Sequence, residues 1–286
     1  MKVLVFGASG MIGSAMFRVL SAKKEWQVWG TLRSDEAKRF FPEDQRDKLV
    51  AGVDVEKQDV LVRMFARVQP DLVVNCIGLT KHHKEAEDPQ LALPLNALLP
   101  HWLSDQCAAA RARLIHVSTD CVFSGSRGNY SEIDTPDASD IYGRTKQLGE
   151  VDYPHAVTLR TSTIGHELQS AYGLLNWFLA QKGNCKGFAR AKFSGLTNIE
   201  FACIVRDYVI TNPNLRGVYN VGGKSINKYD LLCMISNIYG NTNIVMRDEE
   251  FVIDRSLDSS RFNAATGYLA PKWFEMIENM YLMTAR

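Results

Sequence analysis

The first thirteen residues, MKVLVFGASGMIG, leave few folds open. Lys2–Phe6 is a short apolar run with β-branched members, the composition of a strand buried on both faces. Gly7, Gly10 and Gly13 follow at three-residue spacing, and Met11, Ile12, Ala15, Met16, Val19 and Leu20 then recur at helical period. Strand, glycine turn and helix in succession let the backbone bend sharply and approach a pyrophosphate, with the helix N-terminus supplying N–H donors. The spacing is GxxGxxG rather than GxGxxG, so the first turn is one residue longer. Ser9, Met11 and Ile12 lie in this turn and join the three glycines as candidate cofactor contacts. A tight turn without a ligand is the plainer reading, but the position between a strand and a helix favours nucleotide binding.

The pattern that follows is an alternation of strand and helix, which argues for a Rossmann-type doubly wound parallel sheet with right-handed crossovers. A strand over Gln27–Leu32 ends at Arg33-Ser34, where an acid would bind the ribose 2′-OH of NAD and an arginine accommodates the 2′-phosphate of NADP. Arg33 therefore favours NADP, while Asp35 and Glu36 keep NAD open and an exposed loop arginine is the alternative. Residues 35–49 read as a charged helix and Val50–Val55 as a short strand that sets Asp54 and Val55 beside the adenine. A helix over 57–68 precedes a buried strand within Pro70–Gly78, whose end carries Cys76, Ile77 and Gly78. Leu91–Ala110 reads as a long helix interrupted early by Pro94 and Pro100. The next strand, Leu114–Asp120, gathers polar residues at its C-terminal end, where open α/β sheets bind ligands.

A sixth strand, Val157–Thr161, closes a dinucleotide-binding domain over residues 1–160. Beyond it the segments are short and glycine-punctuated, so 161–286 reads as a smaller C-terminal substrate-binding lobe, with Val218–Gly223 returning to the sheet. In that lobe Leu174, Leu175, Trp177, Phe178 and Leu179 serve as core or as a homodimer surface. A net charge of +1 gives no reason to expect nucleic acid or acidic membranes as partners. Six cysteines without a CxxC pair suit reduced thiols, and neither a leader nor a membrane-length apolar run is evident, so the cytoplasm is the expected compartment.

Tyr142 and Lys146 are four residues apart and share a face if helical, a spacing that suits a phenol made more acidic by a neighbouring ammonium. Tyr268 and Lys272 repeat the spacing, but Pro271 lies between them and no polar strand end precedes them, so that pair is read as structural. Thr119, with Ser118 beside it, is a catalytic candidate in front of Tyr142; a strand-end cap is its bland alternative. His82-His83 has no partner at ligand spacing and is read as a solvated loop, leaving no metal site; His116 is read as core.

GASGMIG, Asp54-Val55, Asn75, HVSTDCVF (116–123) and YGRTK (142–146) together resemble the extended short-chain dehydrogenase/reductases. Within them the chain is most similar to reductases of nucleotide-linked 4-keto-6-deoxysugars, the dTDP-4-dehydrorhamnose reductase type, over nearly its whole length. The resemblance implies that NADPH lies along the glycine turn, that hydride passes to the sugar C4 carbonyl, and that Tyr142 protonates the oxygen. It further implies that Lys146 holds the nicotinamide ribose and lowers the Tyr142 pKa, and that Thr119 hydrogen-bonds the carbonyl. Ser118, Asp120, Cys121, Asn176, Thr197 and Arg255 are the implied contacts to a dTDP- or UDP-linked sugar. Arg255 is a clamp on the diphosphate or a surface salt bridge.

The chain departs from that pattern at Cys121, where the relatives have Tyr, at Leu79–His83, and at Leu196, where they have Pro. These positions put the rhamnose product and any magnesium dependence in question. A nucleotide-sugar epimerase with tightly held NAD shares the fold and the Tyr/Lys pair. A dehydratase usually has an acid pair after the Thr, where this chain has Asp120-Cys121. A non-catalytic NADP-binding regulatory subunit is the third reading.

Overall fold

A computed structural model describes residues 1–80 and 84–284. Seven parallel strands form the central sheet: β1 (Lys2–Phe6), β2 (Gln27–Thr31), β3 (Leu49–Val50), β4 (Leu72–Asn75), β5 (Arg113–Thr119), β6 (Ala156–Thr161) and β7 (Gly217–Asn220). Their order across the sheet is β7-β6-β5-β4-β1-β2-β3, with the direction of winding reversing between β1 and β4. In such sheets the crevice at the reversal, outside the carboxyl ends of the strands, receives the ligand. Register brings Phe6 beside Asn75, Asn75 beside His116, and Thr119 beside Thr161, so these strand ends form one rim.

Two hydrophobic clusters cover the two faces. One packs β1, β4 and β5 through Leu4, Val73 and Leu114 against helices α1 (Gln58–Val68) and α2 (Leu99–Ala110) by way of Leu61, Phe65 and Leu103. The other joins Val3, Val5, Ile115 and Val157 to the Met11–Ser21 helix and also to Phe201, Val205, Phe262 and Met276 from the C-terminal lobe. No helix among the described residues is long and apolar enough to cross a membrane.

Three segments differ from the sequence reading. Residues 35–49 form two 3-10 turns, Asp35–Phe40 and Glu43–Lys48, because Pro42 lacks an N–H and ends the first of them. The strand expected over 50–55 is confined to Leu49–Val50, since Gly52 takes φ +73° and turns the chain out of the sheet. The long helix is continuous across its prolines, Pro89–Ala92 running into Leu99–Ala110 through a π-helical stretch at Leu93–Leu98 that absorbs Pro94.

Candidate functional site

The glycine turn hangs between β1, β2 and β4. Gly7 N donates to Thr31 Oγ1 at 3.1 Å and Ala8 N to the Thr31 carbonyl at 3.0 Å. Gly7 has φ +80°, and a Cβ added at Gly13 would stand 2.0 Å from the Gly7 carbonyl oxygen, so the turn can be this tight only with glycine at both places. Gly10 caps the helix without a side chain, leaving the first-turn N–H groups of Met11, Ile12 and Gly13 to face an outside acceptor. Asn198 of the lobe donates to the Met11 carbonyl at 3.0 Å and pins the turn from above. Ile77 lies against Gly7, which unites the two stretches expected to hold the cofactor. These features fit a dinucleotide pyrophosphate.

Arg33 is exposed two residues past the end of β2, and the neighbouring Ser34 hydroxyl accepts from Glu36 N at 3.3 Å. The Asp54 carboxylate is occupied locally, accepting from Glu56 N at 3.3 Å and pairing with Lys57 at 3.2 Å, while Val55 is buried.

Tyr142 and Lys146 lie on a short helix, Ile141–Leu148, capped by Asp140, whose Oδ1 accepts from Gly143 N at 2.7 Å. Gly143 permits the helix to press on the chain after β5: a Cβ there would meet the Cys121 carbonyl oxygen at 2.3 Å. Thr145 holds the opposite side, receiving a hydrogen bond from Asn96 in the π-helical stretch at 3.2 Å. Asn96 also exchanges two bonds with Leu79, 2.8 and 3.0 Å long, so one side chain joins the strand-end loop to the Ile141–Leu148 helix.

Thr119 is buried at the end of β5, donating to Asp120 Oδ1 at 3.2 Å and accepting from Cys121 N at 3.1 Å. It also hydrogen-bonds the half-buried Tyr142, which pulls the phenol pKa down. Burial, and then the nearby Cys121, Asp120 and Asp140, push that pKa up by more, so Tyr142 is a protonated phenol at neutral pH. Lys146 is 4 % exposed; its Nζ donates to the Val117 carbonyl at 2.8 Å and lies 3.4 Å from His116 Nε2. Burial lowers its pKa to about 8 against the opposing pull of Glu150 and Cys76.

Ser118 turns away from this group. Its hydroxyl donates to Glu150 Oε1 at 2.8 Å, and Arg160 grips the same carboxylate twice, Nε at 2.8 Å and Nη2 at 2.7 Å. The pair is nearly fully buried, and Glu150 is a neighbour of the candidate site that the sequence reading missed although it follows YGRTK by four residues. His116, read as core, is buried as expected yet touches Lys146. Cys121 is buried, its thiol 3.4 Å from Asp120 Oδ1.

The remaining substrate candidates are spread over the lobe. Thr197 caps the Asn198–Ile204 helix, accepting from Glu200 N at 3.3 Å. Asn176 closes a loop onto Glu167 and Ser170. Arg255 donates to the Phe123 carbonyl at 2.9 Å and so lies over the chain that leaves β5. Tyr268 is buried outside any helix, donating to Glu200 at 2.9 Å, and does not share a helix with Lys272. His82 and His83 lie outside the described residues.

Residues 1–174 match the RmlD substrate binding domain family. The chain belongs to this family. Through it the chain is one of the extended short-chain dehydrogenase/reductases, a class of NAD(P)-dependent oxidoreductases. A probable low-salt glycan biosynthesis reductase, Agl14 of Haloferax volcanii, is 32% identical over 169 residues, 57% of this chain and 54% of that protein. The methionine adenosyltransferase 2 subunit beta of Xenopus tropicalis is 23% identical over 251 residues, 83% of this chain and 72% of that protein. The crystal structure of a Bacillus anthracis dTDP-4-dehydrorhamnose reductase in complex with NADP superposes with a TM-score of 0.78 at 19% identity, covering 99% of both chains.

Proposed function

We propose that the protein reduces the C4 carbonyl of a nucleotide-linked 4-keto-6-deoxysugar with NADPH, in the cytoplasm, in the building of a deoxysugar-containing glycan. The convergence of Thr119, Tyr142 and Lys146 at one rim of the sheet, beside a turn that fits a pyrophosphate, carries this reading. The glycan biosynthesis reductase among its relatives, and the NADP held by a protein of the same fold, support it.

NADPH would lie along Gly7, Ser9, Gly10, Met11, Ile12 and Gly13, past Asp54 and Val55, to Cys76, Ile77 and Gly78, and supply hydride to the carbonyl carbon. Tyr142, protonated at neutral pH, is the acid that donates to the developing alkoxide. The Thr119 hydroxyl, which donates to Asp120 Oδ1 in the free protein, would turn to the carbonyl oxygen and fix its direction. Lys146 orients the nicotinamide ribose. Residues 161–286 chiefly hold the sugar nucleotide, with Thr197, Asn176 and Arg255 on the substrate side. Ser118 acts through Glu150, to which it is held beside the buried Arg160 pair.

The alignment with the methionine adenosyltransferase subunit covers more of the chain than that with the reductase, which favours a non-catalytic regulatory subunit as the second reading. One assay separates the readings. With NADPH or NADH and a freshly made dTDP- or UDP-linked 4-keto-6-deoxysugar, loss of nicotinamide absorbance with NADPH preferred is the expected outcome. Arg33→Ala should then reduce the preference for NADPH about tenfold, as loss of one charge-assisted contact implies. Tightly held NAD with no consumption would point to an epimerase. Cofactor binding without turnover would point to the regulatory subunit.

A further inference from the structure

Behind the catalytic helix lies a line of hydrogen bonds that the proposed reaction does not use. Asn75, fully buried at the end of β4, accepts from Ile77 N through Oδ1 at 3.0 Å. This fixes the amide: turned over, its NH2 would face the Ile77 N–H. The other end, Nδ2, stands 3.1 Å from His116 Nδ1 and can only donate to it. His116 is fully buried and its pKa is held well below the usual imidazole value by burial, then by Lys146 and by His101. Its single proton therefore sits on Nε2. That atom is 3.4 Å from Lys146 Nζ, which also donates to the Val117 carbonyl.

An ammonium at this place sets two donors head to head, whereas an amine accepts from Nε2–H and still donates to Val117. We propose that Asn75 locks His116 as the Nε2–H tautomer, and that this N–H, facing the Lys146 nitrogen, favours the amine, so that His116 adds to burial in setting the charge of Lys146. The groups that could oppose it are muted. Glu150, one turn beyond Lys146, is already bound by Arg160 and Ser118. Cys76, at the end of β4, is pushed up to about 12 by burial and stays a neutral thiol. Tyr142, one turn earlier on the helix, is a neutral phenol, and His101 reaches His116 only through space. His116 is thus a positioning residue. Resting on the reductase reading, it makes Lys146 a group that, above about pH 8, gains a solvent proton when ribose hydroxyls replace the facing N–H as its partners, rather than a permanent cation.

The test uses the free protein and so stands or falls apart from the ketosugar assay. In protein carrying 15N-histidine, a long-range proton–nitrogen correlation should show His116 as the Nε2–H tautomer from pH 6 to 9. In protein carrying 13Cε-lysine, Lys146 should titrate near pH 8. Asn75→Asp replaces the donor by an acceptor, so the proton should move to His116 Nδ1, Nε2 should accept from the ammonium, and the Lys146 titration should rise by about one pH unit. His116→Phe, read by the lysine signal alone, should also raise it. A wild-type His116 found as Nδ1–H or as imidazolium overturns the proposal. So does a tautomer that reverses in Asn75→Asp while the Lys146 titration stays in place.

Discussion

The cofactor end of the sheet and the C-terminal lobe are built by different means. At the cofactor end, the glycine turn follows directly on β1 and is held by the backbone and hydroxyl of Thr31 on the adjoining strand. At the lobe end, every piece depends on a distant one. Asn184–Phe188 pairs with Ile244–Asp248, and Ala191–Phe193 is flanked by Ile226–Asn227 and Ile253–Asp254. The loop after β5 is stitched to the lobe by Tyr130 N to the Ser256 carbonyl at 2.9 Å and Asp258 N to the Tyr130 carbonyl at 2.7 Å. A turn held by neighbours close in the chain can be local and rigid; a surface stitched from distant segments can vary by exchange of loops.

The sharpest break should come where the two ends meet. Tyr142→Phe is expected to lower turnover by about 10³-fold while leaving NADPH affinity within a factor of about two, since only the acid is removed; stopped-flow reduction and fluorescence titration measure the two. Next is the Glu150–Arg160 pair on which Ser118 leans. Glu150→Ala leaves a buried guanidinium and a buried hydroxyl without their acceptor, and should cost about 3–5 kcal/mol in denaturant unfolding.

A smaller effect follows pH. Below about pH 8 the folded and unfolded chains both carry the Lys146 ammonium, and the folded state bears the cost of burying it. From about 8 to the ordinary lysine value of 10.5 only the unfolded chain holds the proton. Stability of the wild type relative to Lys146→Met should therefore rise with pH through that window. Parallel urea titrations at pH 7 and pH 10 would show it, and a pH-independent difference would contradict a depressed Lys146. Smallest is the lobe: Thr197→Ala removes one helix cap and should cost about 1 kcal/mol, with NADPH binding unchanged.

The same contrast explains what was legible in the sequence. β1, the glycine turn and the two helices flanking the first strands announce themselves by period and by glycine spacing, because each is fixed by neighbours close in the chain. Where local signals failed, a single residue had overruled the pattern, as Pro42 did in residues 35–49 and Gly52 did after Val50. That Thr119, Tyr142 and Lys146 come together could be read from strand end and helix spacing. That Asn75 and His116 stand behind Lys146 depends on register between strands some forty residues apart, and that Ser118 faces Glu150 depends on how the chain after the Ile141–Leu148 helix returns to β5; no spacing within the chain encodes either. Arg255 reaches Phe123 across more than a hundred residues for the same reason.

The last strand of the sheet has a mechanical consequence. β7 comes from the lobe yet pairs with β6 from Gly217–Val157 to Asn220–Arg160, while Phe201, Phe262 and Met276 share one apolar cluster with Val3 and Val5. A rigid-body swing of lobe against sheet would tear that ladder and split that cluster. Lobe and sheet therefore move as one body: on the proposed function, admission and release of substrate fall to the loops, and heat should melt both halves in a single transition.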